Sequence, residues 1–156
     1  MRAVIQLVLQ ARVTVSDQPI AEIGSGLLIY LGIAPQDQVG TARRFASRVA
    51  SMRIFPDEGR RMNRSLLEVG GAALVVSQFT LFGDLRRGHR PSFVSAASPE
   101  PGRSLCGSFA KELRSLGVEC VREGSFGAHM LVEAANDGPV TIVASLDEPP
   151  WEAACG

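Results

Sequence analysis

The chain opens with MRAVIQLVLQARVTV, where apolar and β-branched residues run on through Val15 until SDQP at 16–19 breaks the pattern. A run of this kind bounded by turn formers predicts a strand followed by a turn. A short strand comes next, then Gly24-Ser25-Gly26 and the apolar run LLIYLGI at 27–33, so two hairpin-like strand pairs are expected at the start. From Asp37, read as an N-cap, Ala42, Phe45, Ala46, Val49 and Met52 recur at helical spacing, and Arg43, Arg44 and Arg48 take the opposite face. ALVV at 73–76 predicts an apolar strand that gives way abruptly to Ser77, Gln78 and Thr80. A second helix is signalled by Pro101 and by Leu105, Phe109, Leu113 and Leu116, with Gly117 to end it. Strands are expected near 118–122, 129–135 and 139–146. Strands dominate and do not alternate regularly with helices, so the pattern predicts an α+β fold with a mostly antiparallel sheet.

Composition narrows the class. A chain of 156 residues with 46% apolar content is one ordinary domain with a single core. Cys106, Cys120 and Cys155 are odd in number and match neither a zinc nor a CxxC spacing, which makes buried or idle thiols the expectation. Gln6, Gln10 and Arg12 interrupt the opening run, so it lacks the unbroken apolar stretch of a signal peptide, and no segment reaches transmembrane length. A cytoplasmic protein without a membrane partner is expected.

The formal net charge is zero, but its distribution is uneven. Residues 43–90 carry ten arginines against Asp57, Glu58, Glu68 and Asp84, whereas 100–156 carries four basic groups against nine acids. Fifteen of the sixteen cationic side chains are arginine, a residue whose planar fork suits phosphate oxygens. Arginine-rich solvated helix faces account for the same pattern equally well.

The chemistry concentrates in SQFTLFGDLRRGHRPSF at 77–93. A serine or threonine nucleophile needs a base within hydrogen-bond reach. Only His89 and His129 offer an imidazole, neither sits in a local triad pattern, and there is no GxSxG elbow. His89, inside RRGHR, reads as a phosphate-side or solvent residue, and His129 as the start of a strand. No HExxH-type cluster is present, so metal hydrolysis is disfavoured. An enzyme built on this stretch must draw on positioning and main-chain donors. The second unusual stretch is NDGPVT at 136–141, where spacing alone predicts a tight turn joining two strands.

SQFTL at 77–81, RPSF at 90–93 and NDGPVT at 136–141, together with VIQ at 4–6, RIF at 53–55 and MN at 62–63, resemble the D-aminoacyl-tRNA deacylases. The likeness covers residues 1–146 as a single domain. It implies a mostly antiparallel, barrel-like β-sheet with two main helices packed on it, in a homodimer with active sites at the subunit interface. It also implies a cytoplasmic hydrolase that cleaves the ester between a D-amino acid, or glycine, and the acceptor end of an aminoacyl-tRNA. By the same resemblance Ser77, Gln78, Phe79 and Thr80 line the catalytic pocket, with the Phe79 and Thr80 main chain contacting the carbonyl or oxyanion. Gly138 and Pro139 form a Gly-cisPro element that enters the partner's pocket, captures the substrate amino group and rejects L-aminoacyl substrates. Arg90, Pro91, Ser92 and Phe93 form the wall near the terminal nucleotide. The tRNA's own 2′-hydroxyl takes an activating role, and neither a cofactor nor a metal is implied.

Two departures stand out. Leu7 occupies the position where the family usually has an arginine that supports the Gly-Pro element, so that support is expected from another donor, Arg2 or Arg12. DEPPWEAACG at 147–156 runs past the family's usual end and reads as a flexible tail. Two other readings stay open: a related editing deacylase with a trans Gly-Pro bond acting on L-alanyl-tRNA, and a non-catalytic RNA-binding module using the 43–90 arginines.

Overall fold

The computed structural model describes residues 1–86 and 88–146; Arg87 and the 147–156 segment lie outside the described residues. Strand β1 (Arg2–Val15) is the spine. On one side it pairs antiparallel with β3 (Gly26–Gly32) through residues 2–8 and with β2 (Gln18–Ile23) through residues 11–15. On the other side β8 (Leu131–Ser145) follows it over nearly its whole length.

Beyond β3 the sheet changes character. Strand β6 (Ala72–Ser77) pairs parallel with β3, and β7 (Val121–Glu123) pairs parallel with β6. The sheet is therefore mixed, where a mostly antiparallel one was expected. The physical reason lies in the connections, because two helical crossovers separate the parallel neighbours. The first carries α1 (Val39–Ser51), the small hairpin β4 (Phe55–Pro56) and β5 (Met62–Arg64), and the short helix α2 (Leu66–Val69). The second carries α3 (Pro99–Ser115), closed by Gly117 at φ +103. The hairpin and α2 obscure the strand-helix-strand rhythm. Strand β2 curls back toward β6 and β7, which leaves a nearly closed, barrel-like sheet. Among the described residues no helix is long and apolar enough to cross a membrane.

Strand alternation divides the interior in two. Ala3, Ile5, Leu7, Leu27, Ile29, Leu31, Ala73 and Val75 face α1 and α3, where Phe45 meets Phe109 edge-on with centroids 6.0 Å apart. Val8, Val13, Leu28, Leu74 and Val76 fill the inside of the curled sheet. Leu7 is buried among the helix-side core residues. Asp37 does not cap α1. Gln38 does, in a reciprocal capping box with Thr41, while the Asp37 carboxylate accepts the Met1 ammonium at 2.9 Å and the Ala34 N–H at 2.7 Å. Both members of that ion pair are buried, so the start of β1 is fixed against the β3–α1 loop.

The Gly138-Pro139 stretch is not a turn between two strands. β8 continues through it, with its peptide bond cis. Gln6 faces Thr141 and Val8 faces Asn136, so two steps along β1 are answered by five along β8, and residues 137–140 bulge out of the ladder. Sheet pairing on both flanks of the bulge explains why a turn signature sits inside one long strand.

Gly26 sets the parallel half of the sheet. A Cβ there would lie 1.9 Å from the Ala72 carbonyl oxygen, a main-chain atom that cannot turn aside. Gly24 has open space around it. Gly26→Ala should therefore lower stability by at least about 2 kcal/mol, at the upper side of overpacking costs, while Gly24→Ala changes it by less than about 0.5 kcal/mol. Urea midpoints of the two variants measure this.

Candidate active site

The carboxyl ends of β3, β6 and β7 come out along one edge of the sheet, the position where parallel strands open a crevice. Ser77 closes β6 there. Gln78 donates its N–H to the Leu31 carbonyl at 2.8 Å, and the chain then winds into a single 3₁₀ turn over Phe79–Phe82. The turn can press against β3 because Gly32 has no side chain: a Cβ would meet the Gln78 oxygen and the Phe82 ring, each at 3.0 Å. Phe82 is buried, whereas Phe79 and Thr80 are exposed. Within the turn the Leu81 and Gly83 N–H groups bond to the Gln78 and Thr80 carbonyls. The Phe79 and Thr80 N–H groups stand at the front of the turn, the positions to which a 3₁₀ turn offers no acceptor of its own. The Gln78 side-chain amide donates to the Thr80 hydroxyl.

The RPSF stretch returns to this turn. Ser92 and Asp84 exchange main-chain hydrogen bonds at 2.9 Å and close the intervening loop. Phe93 then stacks edge-on against Phe79 with centroids 5.2 Å apart. Pro91 and Phe93 both lie against Gly83. Arg90 and His89 are exposed on the loop. Arg86 is held to Asp84 by contacts of 2.6–3.0 Å, and this pairing raises its pKa further.

Two recesses flank Ser77. One, of about 280 Å³, runs from Ser77, Gln78 and Phe79 to Phe126, His129 and Met130. The other, of about 310 Å³, lies on the helix side between Ser77, Arg103, Cys106, Glu123 and Phe126. The sequence reading missed the second wall, residues 124–130, because it took His129 as the start of a strand that begins at Leu131. Gly124 and Gly127 around Phe126, and Gly102 packed against the Phe126 ring, are the signal that this segment is a shaped loop. Arg103 stacks over that ring at 4.8 Å and fixes it. His129 is exposed and lines the first recess; Thr80 is not among that recess's lining residues. Among the described residues no cluster of His, Cys, Asp and Glu could hold a metal ion.

Gly138 and Pro139 are exposed but not beside Ser77 of their own chain. Residues 138–139 flank Leu7, which pairs with Leu27, and Leu27 pairs with Ala73; Ser77 lies four residues further along β6 and pairs with Leu31. Three strand spacings sideways and four residues lengthwise amount to roughly 15–20 Å. Of the two donors expected to support the bulge, Arg12 pairs with Glu22 at 3.0 Å and Arg2 donates to the Leu81 carbonyl at 3.2 Å.

Several arginines expected on the phosphate-facing surface are engaged within the chain. Arg53 binds Asn63, Arg64 binds the Glu68 carbonyl, and Arg43 lies 3.7 Å from Glu112. Arg48, Arg60 and Arg61 are exposed. Asp57 organises the hairpin that presents Arg60 and Arg61, accepting from the Gly59 and Arg61 N–H groups and from Asn63, and the bonds lower its pKa, the Arg61 N–H most.

Comparison with known proteins places these features in context. The family described as "D-Tyr-tRNA(Tyr) deacylase" matches residues 4–145. The chain is 52% identical over 146 residues to the D-aminoacyl-tRNA deacylase of Deinococcus radiodurans, covering 94% of this chain and 100% of that one. It is 58% identical over 143 residues to the D-aminoacyl-tRNA deacylase of a Roseiflexus species, covering 92% of each. Among solved structures it is similar to a c-Myc DNA unwinding element binding protein, at TM-score 0.87 and 36% identity over 96% of this chain and 100% of that one. A probable eukaryotic D-amino acid tRNA deacylase shares the fold at TM-score 0.79 and 18% identity, covering 92% of this chain and 97% of that one.

Cys106 lines the helix-side recess but is chemically quiet. Burial, with a smaller contribution from the Glu123 charge, pushes its thiol up to about 12. Its pKa lies above the ordinary value, so the unreactive protonated form persists across the neutral range. Iodoacetamide at pH 8 should leave Cys106 unlabelled in the folded protein and label it fully in denaturant, as read by peptide mass mapping.

Proposed function

The chain belongs to the D-aminoacyl-tRNA deacylase family and is a hydrolase, and from that premise we propose that it cleaves the ester joining a D-amino acid, or glycine, to the terminal adenosine of tRNA, at two equivalent sites in a homodimer. The observation that carries the proposal is the 3₁₀ turn after Ser77. Its front carries the Phe79 and Thr80 N–H groups, Phe79 itself lining an open recess, and the first-turn position of both leaves them available to an acceptor from outside. Water adds to the ester carbonyl, whose oxygen becomes an oxyanion and accepts from the Phe79 and Thr80 N–H groups. The tetrahedral intermediate collapses with cleavage of the bond to the ribose 3′-oxygen, which takes up a proton. Free amino acid and tRNA are released. The terminal ribose 2′-hydroxyl assists the attacking water, which removes the need for a protein base. A Thr80 nucleophile would need a base beside its hydroxyl, and the recess that His129 lines does not include Thr80.

Selectivity is assigned to residues 137–140. The bulge carries Gly138 and Pro139 out of the sheet, away from the chain's own recess, so their role is fulfilled in the recess of a second copy. Their carbonyls hold the substrate ammonium, and with ammonium and carbonyl both pinned, an L side chain would collide with the main chain of the element. Glycine has nothing to collide and is accepted. The sheet supports pairing of two copies. Among the described residues, the fifteen-residue β8 pairs with β1 alone, and it exposes Leu131 and Val143, the latter at 81%. A two-fold arrangement gives two identical sites. The exposed Arg48, Arg60 and Arg61 then serve the phosphates of the acceptor end.

Incubation with D-tyrosyl-tRNA and L-tyrosyl-tRNA tests the reading directly, with release from the D substrate alone expected. Cleavage of both, or of neither, contradicts it. Thr80→Ala and His129→Gln should each retain more than about a tenth of kcat/KM, a loss smaller than about 1.4 kcal/mol. Complete inactivity of a folded Thr80→Ala protein would restore the hydroxyl as nucleophile.

A further inference from the structure

The geometry points to Arg2 as a positioning residue for the oxyanion turn, an inference that rests on the proposed role of the Phe79 and Thr80 N–H groups. Arg2 and Gly32 are direct partners in the β1–β3 ladder, so their side chains project from the same face of the sheet. On that face Gly32 contributes no atoms, and the 3₁₀ turn fills the space. Arg2 reaches across the vacancy from the neighbouring strand. Its guanidinium donates to the Leu81 carbonyl at 3.2 Å and lies 4.8 Å over the Phe82 ring. One side chain thereby holds both the polar and the aromatic end of the turn whose first residues carry the two N–H donors.

The turn needs such a hold. Four residues of 3₁₀ helix make few internal bonds, and the carbonyls at its end have no partner within it. Its entry is tied by the Gln78 N–H to the Leu31 carbonyl. Arg2 supplies the second attachment, at the exit. The base from which it reaches is itself rigid: Arg2 sits between Gly32 and Ser145, and the preceding residue is anchored by the Asp37 pair and by the Leu146 N–H on the Met1 carbonyl. A main-chain oxyanion site works only if its donors keep their aim without reorganising during the reaction. Arg2 therefore acts on the rate of the chemical step through the turn and does not touch substrate. An arginine outside every motif in the sequence takes this role because strand register, not chain proximity, brings it to residue 81.

Kinetics and amide exchange on the full chain test this together. In Arg2→Gln, kcat for D-tyrosyl-tRNA should fall at least about tenfold while KM stays within about threefold, the pattern of a group acting in the transition state. Arg2→Lys, which keeps a cationic donor for the Leu81 carbonyl, should recover part of that loss. Exchange of the 78–83 amides should quicken at least about tenfold in Arg2→Gln, with amides 26–31 of β3 unchanged. Unaltered exchange in the turn overturns the proposal. So does faster exchange with an undiminished kcat, or a loss confined to KM, which would make Arg2 a tRNA contact. If the unmodified chain does not cleave D-tyrosyl-tRNA, the functional reading fails separately, and the exchange data alone decide whether Arg2 holds the turn.

Discussion

The parallel pairing of β6 between β3 and β7 is the constraint on which the rest of the molecule depends. It brings three strand ends to one edge and places Ser77 and the following turn beside Gly32 on one flank and Gly124–Phe126 on the other. It also requires two crossovers, which lay α1 and α3 on the same face and give the sheet its helix-side core. Close approach of β3 and β6 is possible only because residue 26 is glycine. The site is thus a product of backbone geometry before any functional side chain is considered. A chemistry based on main-chain donors suits such a scaffold, because the donors are fixed by the same pairings that fix the fold.

The antiparallel half of the sheet has a different task. β1 lends one edge to β3 and β2 and the other to β8, and the insertion in β8 opposite Leu7 sends Gly138 and Pro139 outward. A nearby adjustment in the β1–β8 register, between Val8 and Gln10, lets the ladder resume. The element proposed for selectivity and the turn proposed for catalysis lie on β8 and beyond β6 of one sheet, with β1 and β3 between them. If both serve one site, as proposed, two copies must join them. β8 also exposes two large apolar side chains, Leu131 and Val143.

Much of this was legible in the sequence, for reasons that differ from residue to residue. Phe45, Val49, Phe109 and Leu113 announced the two helices because a helix buried on one face imposes a period of 3.6 on its apolar residues. The ALVV run announced β6, buried on both faces. The parallel pairing was hidden because the β4–β5 hairpin and α2 interrupt the first crossover, and the proline-containing bulge of β8 imitates a turn. Asp37 carried a cap signature but serves the Met1 ammonium, a tertiary contact with no local trace. Motifs named Ser77–Thr80 and Arg90–Phe93 as neighbours, and the Phe79–Phe93 stacking joins them. They were silent on the 124–130 wall and on Arg2, whose places are set by strand register.

The most direct measurement of the central claim, that each site is assembled from two copies, is complementation between two disabled chains. One carries Ser77→Trp, which fills the recess and leaves residues 137–140 intact; the other carries Gly138→Val, which disables the bulge and leaves the recess intact. Each variant alone is expected to have lost D-selective deacylation. Co-expressed and purified as a mixed dimer, the pair contains one site in which an intact recess meets an intact Gly138-Pro139 element. Return of D-tyrosyl-tRNA cleavage with L-tyrosyl-tRNA untouched is the predicted result. A mixed dimer as inactive as its parents, or either variant retaining full D-selective activity as a monomer, would contradict the account.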